Sequence, residues 1–98
     1  MPAPDDALKL LANETTRALV AQLARAPSYP RALAATLHLS EGDVQRRLHR
    51  LARAGIVVGE WRHREKTIKE YALCASSLAL DFATGSVHVR PADVSREA

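Results

Sequence analysis

The sequence has a single cysteine and no long apolar run. Cys74 cannot form a disulfide within the chain, so cysteine usage does not indicate an oxidising compartment. No stretch approaches the roughly 20 apolar residues needed to cross a bilayer. Residues 1–6 lack the basic start and apolar run of a secretion signal. We therefore expect a cytoplasmic protein without membrane contact.

The sequence also has few features that support catalysis. It has only four aromatic residues, no Gly-rich phosphate loop and no nucleophile motif. No cluster of His, Cys and carboxylate side chains occurs at metal-ligand spacing. The sequence predicts no catalytic residue, no cofactor and no metal, and we expect that the protein is not an enzyme.

The positive charge is concentrated in the middle of the chain. The 98 residues suit one domain with a modest core, which dimerisation would help to stabilise. Residues 41–69 contain eight Arg and Lys residues against four acidic residues, a net charge of +4, and the rest sums to −1. Such clustering is typical of a surface that binds a polyanion, although a solvated charged face would show the same pattern.

Apolar spacing and capping residues predict three helices in the first part of the chain. Asp5 or Asp6 is expected to cap the first helix, and Asn13 the second. Pro27 ends the second helix, and Pro30 is suited to the first position of the third. The apolar stripes of these helices consist of Leu8, Leu11, Ala12, Leu19, Val20, Leu23, Ala24, Leu33 and Leu37.

A fourth helix over residues 41–54 has the strongest local signals. Ser40 and Asp43 form a capping pair three residues apart at its start. Gly55 lies where a left-handed C-terminal cap is expected. The face predicted to pack inward consists of Val44, Leu48 and Leu51.

Two hairpins are predicted after Gly55. Residues 56–62 and 67–73 are β-prone, and the polar connector 63–66 joins them with a charged tip. Trp61 and Tyr71 are expected to pack against each other across this hairpin.

Alternating apolar residues on both sides of Thr84-Gly85 predict the second hairpin. A short helix over 75–82 is the alternative. Residues 91–98 are polar and are expected to fray.

The element order and several short motifs resemble a known family. The motifs are LANETTR at 11–17, LSEGDV at 39–44, RLHRL at 47–51, AGIV at 54–57 and YAL at 71–73. They resemble the winged helix-turn-helix domain of ArsR-type transcription regulators, most of all the small archaeal members. The resemblance covers residues 8–73, about two-thirds of the chain.

The resemblance implies a mainly α fold with a β-wing. Residues 5–73 would form the DNA-binding domain, 74–90 a dimerisation appendage and 91–98 a frayed tail. Metal-sensing members carry cysteines in the third helix, or carboxylates and histidines near the C-terminus. Here residues 31–37 contain no thiol, and the C-terminal part has only His88, so neither metal site carries over.

The fourth helix would then be the recognition helix of the family. Base edges are read by the N-terminal part of such a helix, which here consists of Glu41, Gly42, Gln45 and Arg46. Contacts with the DNA backbone are expected from the remaining polar residues of this helix and from the wing, namely Ser40, Arg47, His49, Arg50, Arg53, Arg62, His63, Arg64 and Lys66.

We expect a homodimer that binds double-stranded DNA as a sequence-specific transcription regulator, most simply a repressor. The predicted dimer interface consists of Leu8, Leu11, Leu78, Leu80, Phe82, Val87 and Val89. A sequence-indifferent architectural DNA-binding protein and a winged helix used for protein contacts are the alternatives. No set of residues in the sequence identifies a small-molecule effector.

Overall fold

Four helices precede two β-hairpins in an α+β arrangement that is compatible with a winged helix. The structure is a computed structural model and describes residues 4–63 and 65–92. The elements are α1 (Pro4–Leu11), α2 (Glu14–Arg25), α3 (Pro30–Leu37), α4 (Glu41–Arg53), β1 (Val57–His63), β2 (Thr67–Leu73), β3 (Ala75–Asp81) and β4 (Ser86–Pro91). Among the residues described, no helix is long and apolar enough to cross a membrane.

The helix caps agree with the sequence except at the first helix. Asn13 Oδ1 accepts a hydrogen bond from Thr16 N at 3.0 Å, and Ser40 Oγ accepts one from Asp43 N at 3.0 Å. Pro30 is the first residue of α3, as predicted. The prediction that Asp5 or Asp6 caps α1 is wrong, because the helix already includes Pro4 and both aspartates lie within it.

The core lies where the helices meet the start of the first hairpin. The predicted inward face of α4 is confirmed, since Val44, Leu48 and Leu51 have no exposed surface. Leu19 and Leu23 of α2 are buried against the same cluster, together with buried residues of the other elements: Ala7, Leu33, Ala34, Ala54, Ile56, Val57, Tyr71 and Ala75. Because α4 has one apolar face in this core, its opposite face is presented to solvent.

A Schellman motif ends α4 at Gly55, as expected from the sequence. Ile56 N donates to Leu51 O at 2.9 Å, and Gly55 N donates to Ala52 O at 3.1 Å. Gly55 has φ 82°, in the left-handed region that a side chain disfavours. The motif turns the chain from α4 into β1 and so fixes the relative placement of the helix and the first hairpin.

Replacing Gly55 by alanine is expected to lower the free energy of unfolding by about 1–2 kcal/mol, because the Cβ of alanine clashes with the backbone in the left-handed conformation. Gly42→Ala is the matched control, since Gly42 lies in α4 and an added Cβ would come no nearer than 3.7 Å to Arg46 Nη1. This second change is expected to raise stability by up to about 1 kcal/mol through helix propensity. Urea unfolding of both variants measures the difference. Equal effects of the same sign would contradict the assignment.

The first hairpin is attached to the helices through a backbone bridge. β1 and β2 are antiparallel, with Val57 opposite Leu73 and His63 opposite Thr67. Ser28, just before α3, exchanges two backbone hydrogen bonds with Tyr71: Tyr71 N donates to Ser28 O at 2.7 Å, and Ser28 N donates to Tyr71 O at 3.0 Å. These bonds hold β2 beside the loop that leads into α3.

The chain after Cys74 forms a hairpin, which decides between the hairpin and the short helix that the sequence left open. β3 and β4 pair in an antiparallel register with Leu78 opposite Val89 and Leu80 opposite Val87. The predicted fraying of the tail is wrong for its first two residues, because Pro91 lies in β4 and Ala92 N donates to Cys74 O at 2.9 Å. The remainder of that tail, 93–98, lies outside the described residues.

Candidate nucleic-acid interface

An open groove of about 520 Å³ separates the exposed face of α4 from the first hairpin. Its two long walls come from α4 and the first hairpin, which follow each other in the chain and are joined by the turn at Gly55. The residues that line it are Pro30, Gly42, Gln45, Arg46, His49, Trp61, Lys69 and Tyr71. Three of the four predicted base-reading residues therefore lie in one concave surface.

The first two turns of α4 present the predicted base-reading side chains to solvent. The Arg46 side chain is 65% exposed, and its Nη2 lies 3.6 Å from Asp43 Oδ1. This weak pair orients the guanidinium without covering it. Gln45 and Gly42 are exposed beside it, and Glu41 is exposed at the start of the helix but does not line the groove.

Further along α4, the structure leaves His49, Arg50 and Arg53 exposed. Arg50 and Arg53 form no ion pair with any residue that the structure describes. Ser40 is exposed, and although its Oγ accepts the capping hydrogen bond, its hydroxyl proton remains available to donate. These positions satisfy the steric requirement for contacts with a DNA backbone.

Arg47 is placed differently from the sequence prediction of a backbone contact. Its side chain is only 23% exposed and is engaged within the protein. Nη1 donates to Thr16 Oγ1 at 2.7 Å and to Asn13 Oδ1 at 3.1 Å, while Nε donates to Asp43 Oδ1 at 3.2 Å. Arg47 therefore joins α4 to the N-terminal cap of α2, and we no longer assign it to the DNA surface.

The residues of the predicted wing divide between two faces of the first hairpin. Side chains alternate along a strand, so Arg62 lies on the face opposite to Trp61 and away from the groove. Its charge is also balanced, because Nη2 lies 3.0 Å from Glu60 Oε1 and Nε lies 3.2 Å from Glu70 Oε1. We therefore withdraw Arg62 as a backbone contact of the groove face.

His63 and Lys66, near the tip of the first hairpin, were also predicted to contact the DNA backbone. His63 Nδ1 forms a hydrogen bond with Thr67 Oγ1 at 3.1 Å, which closes the ends of the two strands. Lys66 is exposed. Arg64, also predicted to contact the backbone, lies outside the described residues.

Lys69 lies between two aromatic rings in the groove, which the sequence reasoning missed. The register places Lys69 opposite Trp61 and Gly59 opposite Tyr71, so Trp61 and Tyr71 do not face each other directly, contrary to the prediction, but lie diagonally on one face of the hairpin. Lys69 Nζ lies 5.7 Å from the centroid of the Trp61 ring and 5.6 Å from that of Tyr71. Both distances allow cation–π attraction. Had the strand register been known, the period-two alternation would have placed all three side chains on one face.

Gly59 allows this aromatic arrangement because it has no side chain. A Cβ at Gly59 would lie 2.9 Å from Tyr71 Cε2 and 2.8 Å from Lys69 Cε. The Tyr71 ring is buried and cannot move away freely. Trp61, in contrast, is 60% exposed at the open side of the groove.

Cys74 is half-buried, and its Sγ donates to Gly55 O at 3.4 Å. Burial raises the pKa of the thiol, so it stays protonated at neutral pH and is a poor nucleophile. Among the described residues, no three His, Cys, Asp or Glu side chains come together in a way that would hold a metal ion.

Only some of the residues predicted to form a dimer interface are exposed and so accessible to a second copy of the chain. Leu8, Leu80 and Phe82 are exposed, whereas Val87 is buried within its own chain, so that assignment is corrected. β4, which contains Val87, packs against α1. The remaining three residues are half-buried and pack against the core, namely Leu11, Leu78 and Val89.

No known protein family and no curated protein sequence matches this chain. The resemblance to ArsR-type regulators therefore stays a prediction from the motifs.

Proposed function

We propose that the protein is a sequence-specific regulator of transcription that binds double-stranded DNA as a homodimer, with the fold of a winged helix. The observation that carries this proposal is the groove face of α4, where Gln45, Arg46 and His49 are exposed next to Trp61 and Lys69. In this proposal α4 enters the major groove of DNA, and the first hairpin lies over the adjacent backbone.

The arrangement divides the polar residues into two roles. The first turns of α4 approach the base edges, where Arg46 can donate two hydrogen bonds to guanine and Gln45 can pair with adenine. Arg50 and Arg53 lie further along the exposed face and contact phosphates, which adds affinity without sequence information. Lys69 and Lys66 extend the positive surface onto the hairpin. Repression would follow from occupation of promoter DNA by this dimer.

A titration against two duplexes tests the proposal. One duplex is selected from a random pool by repeated binding, and the other has the same composition in scrambled order. Fluorescence anisotropy of labelled DNA is recorded over a series of salt concentrations. We expect the selected duplex to bind about 10³-fold tighter or more, as specific regulators do. The logarithm of the association constant should fall linearly with the logarithm of the salt concentration.

Two outcomes of this titration would contradict the proposal. Equal and strongly salt-dependent binding to both duplexes would favour an architectural DNA-binding protein. The absence of binding at low salt would favour a module for protein contacts.

Trp61 provides an internal reporter, because it is the sole tryptophan of the chain and lies at the groove. We expect the selected duplex to quench its fluorescence and reduce its accessibility to iodide. The matched control carries Trp61→Phe with Val58→Trp, which moves the fluorophore to the other face of β1, where Val58 is exposed. Quenching that is equal for both proteins would place the DNA elsewhere.

A further inference from the structure

The second hairpin has an unpaired strand edge beside an apolar groove. β3 and β4 form a two-stranded sheet, and within the described residues no strand pairs with the outer edge of β3. A groove of about 180 Å³ lies along α2 and the base of β3. Its walls are mainly aliphatic, including Val20, Ala21, Ala24 and Leu78, and Ser76 and Ser77 are its two polar lining residues. Both features favour association with another strand.

The tip of the same hairpin carries a large apolar side chain that the described residues leave almost fully exposed. Phe82 is 88% exposed, the highest value among the exposed large apolar side chains of the described residues. It follows β3 directly, at the end opposite to the groove. About six residues separate it from Ser76, or roughly 20 Å of extended strand. The Phe82 ring therefore lies too far along the strand to enter the groove of its own chain.

We infer that two copies of this chain pair through the outer edges of their β3 strands, and that Phe82 of each copy enters the groove of the other. The two strands are antiparallel and the two-fold axis passes at Ala79. Residues whose numbers sum to 158 then lie opposite each other. The result is a continuous four-stranded sheet. This inference gives the interface of the dimer in the proposed function, and it does not depend on DNA binding.

In this register, the apolar residues of β3 in one copy lie opposite apolar or small residues of β3 in the other copy. Leu78 lies opposite Leu80 of the second copy, and Phe82 lies opposite Ser76, a lining residue of the groove. Leu78 and Leu80 share the hairpin face of their partners Val89 and Val87, of which Val87 is buried, whereas a register shift between Ala75 and Ser77 interrupts the alternation at Ser76. A shift by one residue would turn the apolar face of one copy towards solvent. An axis at Asp81 would place two carboxylates against each other.

The charges on the outer face of the sheet are also complementary. Arg90 lies opposite Ser77 within each hairpin. In the dimer, Asp81 of the second copy lies on the other side of Ser77, within reach of the long Arg90 side chain. The tip of the hairpin is acidic and its base is basic, so the antiparallel arrangement brings opposite charges together.

The buried surface reaches the size that a specific interface requires. Two phenylalanines at about 150–250 Å² each, four leucines and two strand edges give on the order of 1,000 Å². Dimerisation would also remove the exposed edge and the exposed aromatic ring from solvent.

Sedimentation equilibrium without DNA tests this interface. We expect the wild type to be a dimer at micromolar concentration and Phe82→Asp to weaken dimerisation about 30-fold, as for a central anchor residue. Ala21→Phe, which fills the groove from an exposed position of α2, should weaken it similarly. Val58→Asp is the control, because Val58 is exposed on β1, outside this surface. Circular dichroism confirms that each variant folds.

A symmetric disulfide tests the register directly. Ala79→Cys in a Cys74→Ser background places two thiols on the two-fold axis, with Cα atoms roughly 4.5–5.5 Å apart. We expect rapid formation of a covalent dimer under mild oxidation, and much slower formation for Ser86→Cys in the same background. A monomeric wild type would overturn the interface and the proposed homodimer together. A dimer that neither Phe82→Asp nor Ala21→Phe weakens would overturn the interface alone, and loss of DNA binding by an intact dimer would overturn only the proposed function.

Discussion

Arg46→Ala is expected to lower the affinity for a selected duplex about 100-fold or more. A bidentate contact between arginine and guanine contributes roughly 1–3 kcal/mol of discrimination, and a dimer makes this contact twice. Arg46 is suited to this role because its guanidinium is exposed at the start of α4 and only weakly held by Asp43. Affinity for a scrambled duplex should change much less, so the ratio of the two affinities decreases. Anisotropy titrations with both duplexes measure this ratio.

Two other arginines provide controls for this experiment. Arg25→Ala removes the same charge from an exposed position of α2 outside the groove and should leave the ratio unchanged. Arg50→Ala should weaken binding to both duplexes equally and reduce the salt slope by roughly 0.9 for each phosphate that the variant no longer neutralises. A uniform decrease in affinity in Arg46→Ala, resembling that of Arg50→Ala, would show that Arg46 binds the backbone and does not read bases.

Arg47→Ala is expected to lower the free energy of unfolding by about 2 kcal/mol, since hydrogen bonds of charged groups contribute roughly 1.5–3 kcal/mol and this side chain is partly exposed. The change removes all three hydrogen bonds that Arg47 donates to Asp43, Asn13 and Thr16. Thr16 is buried, so its hydroxyl loses a partner that water cannot easily replace. For a domain of this size the melting temperature should fall by roughly 8–16 °C.

Arg50→Ala is the control for stability as well, because Arg50 is exposed on the same helix. Its free energy of unfolding should stay within about 0.5 kcal/mol of the wild type. The two variants are therefore expected to affect different properties: Arg47→Ala lowers stability, and Arg50→Ala lowers the affinity for DNA. If Arg47→Ala had normal stability but bound DNA more weakly, Arg47 would contact DNA and would not serve mainly to join α4 to α2.

The local elements of this protein could be predicted because their signals lie within a few residues. Ser40 and Gly55 mark the ends of α4 through hydrogen bonds to residues at most five positions away. The strand over 67–73 was predicted with the bounds that the structure shows. The cap of α1 was predicted wrongly because its local signals were ambiguous: the pattern around Asp5 and Asp6 allowed more than one start for the helix.

The composition of the candidate site was predicted less completely than the position of its helix. Gln45 and Arg46 lie in the groove as the helical period requires, because the apolar face of α4 is unambiguous. Trp61 and Lys69 were missed, since their approach to α4 depends on the register of the first hairpin and on its attachment through Ser28. No signal near Trp61 in the sequence specifies that register.

The sequence alone determined the four helices and the first hairpin, the start of α4, the bounds of β2, and the concentration of positive charge in the middle of the chain. Only the tertiary structure distinguished Arg47 from Arg50, or Val87 from Leu80, although each pair shares one element or one hairpin face. Capping and periodicity arise from interactions between residues close in the chain, so the sequence displays them. Burial and hydrogen bonding depend on which distant element packs alongside, as α2 does at Arg47 and α1 along β4.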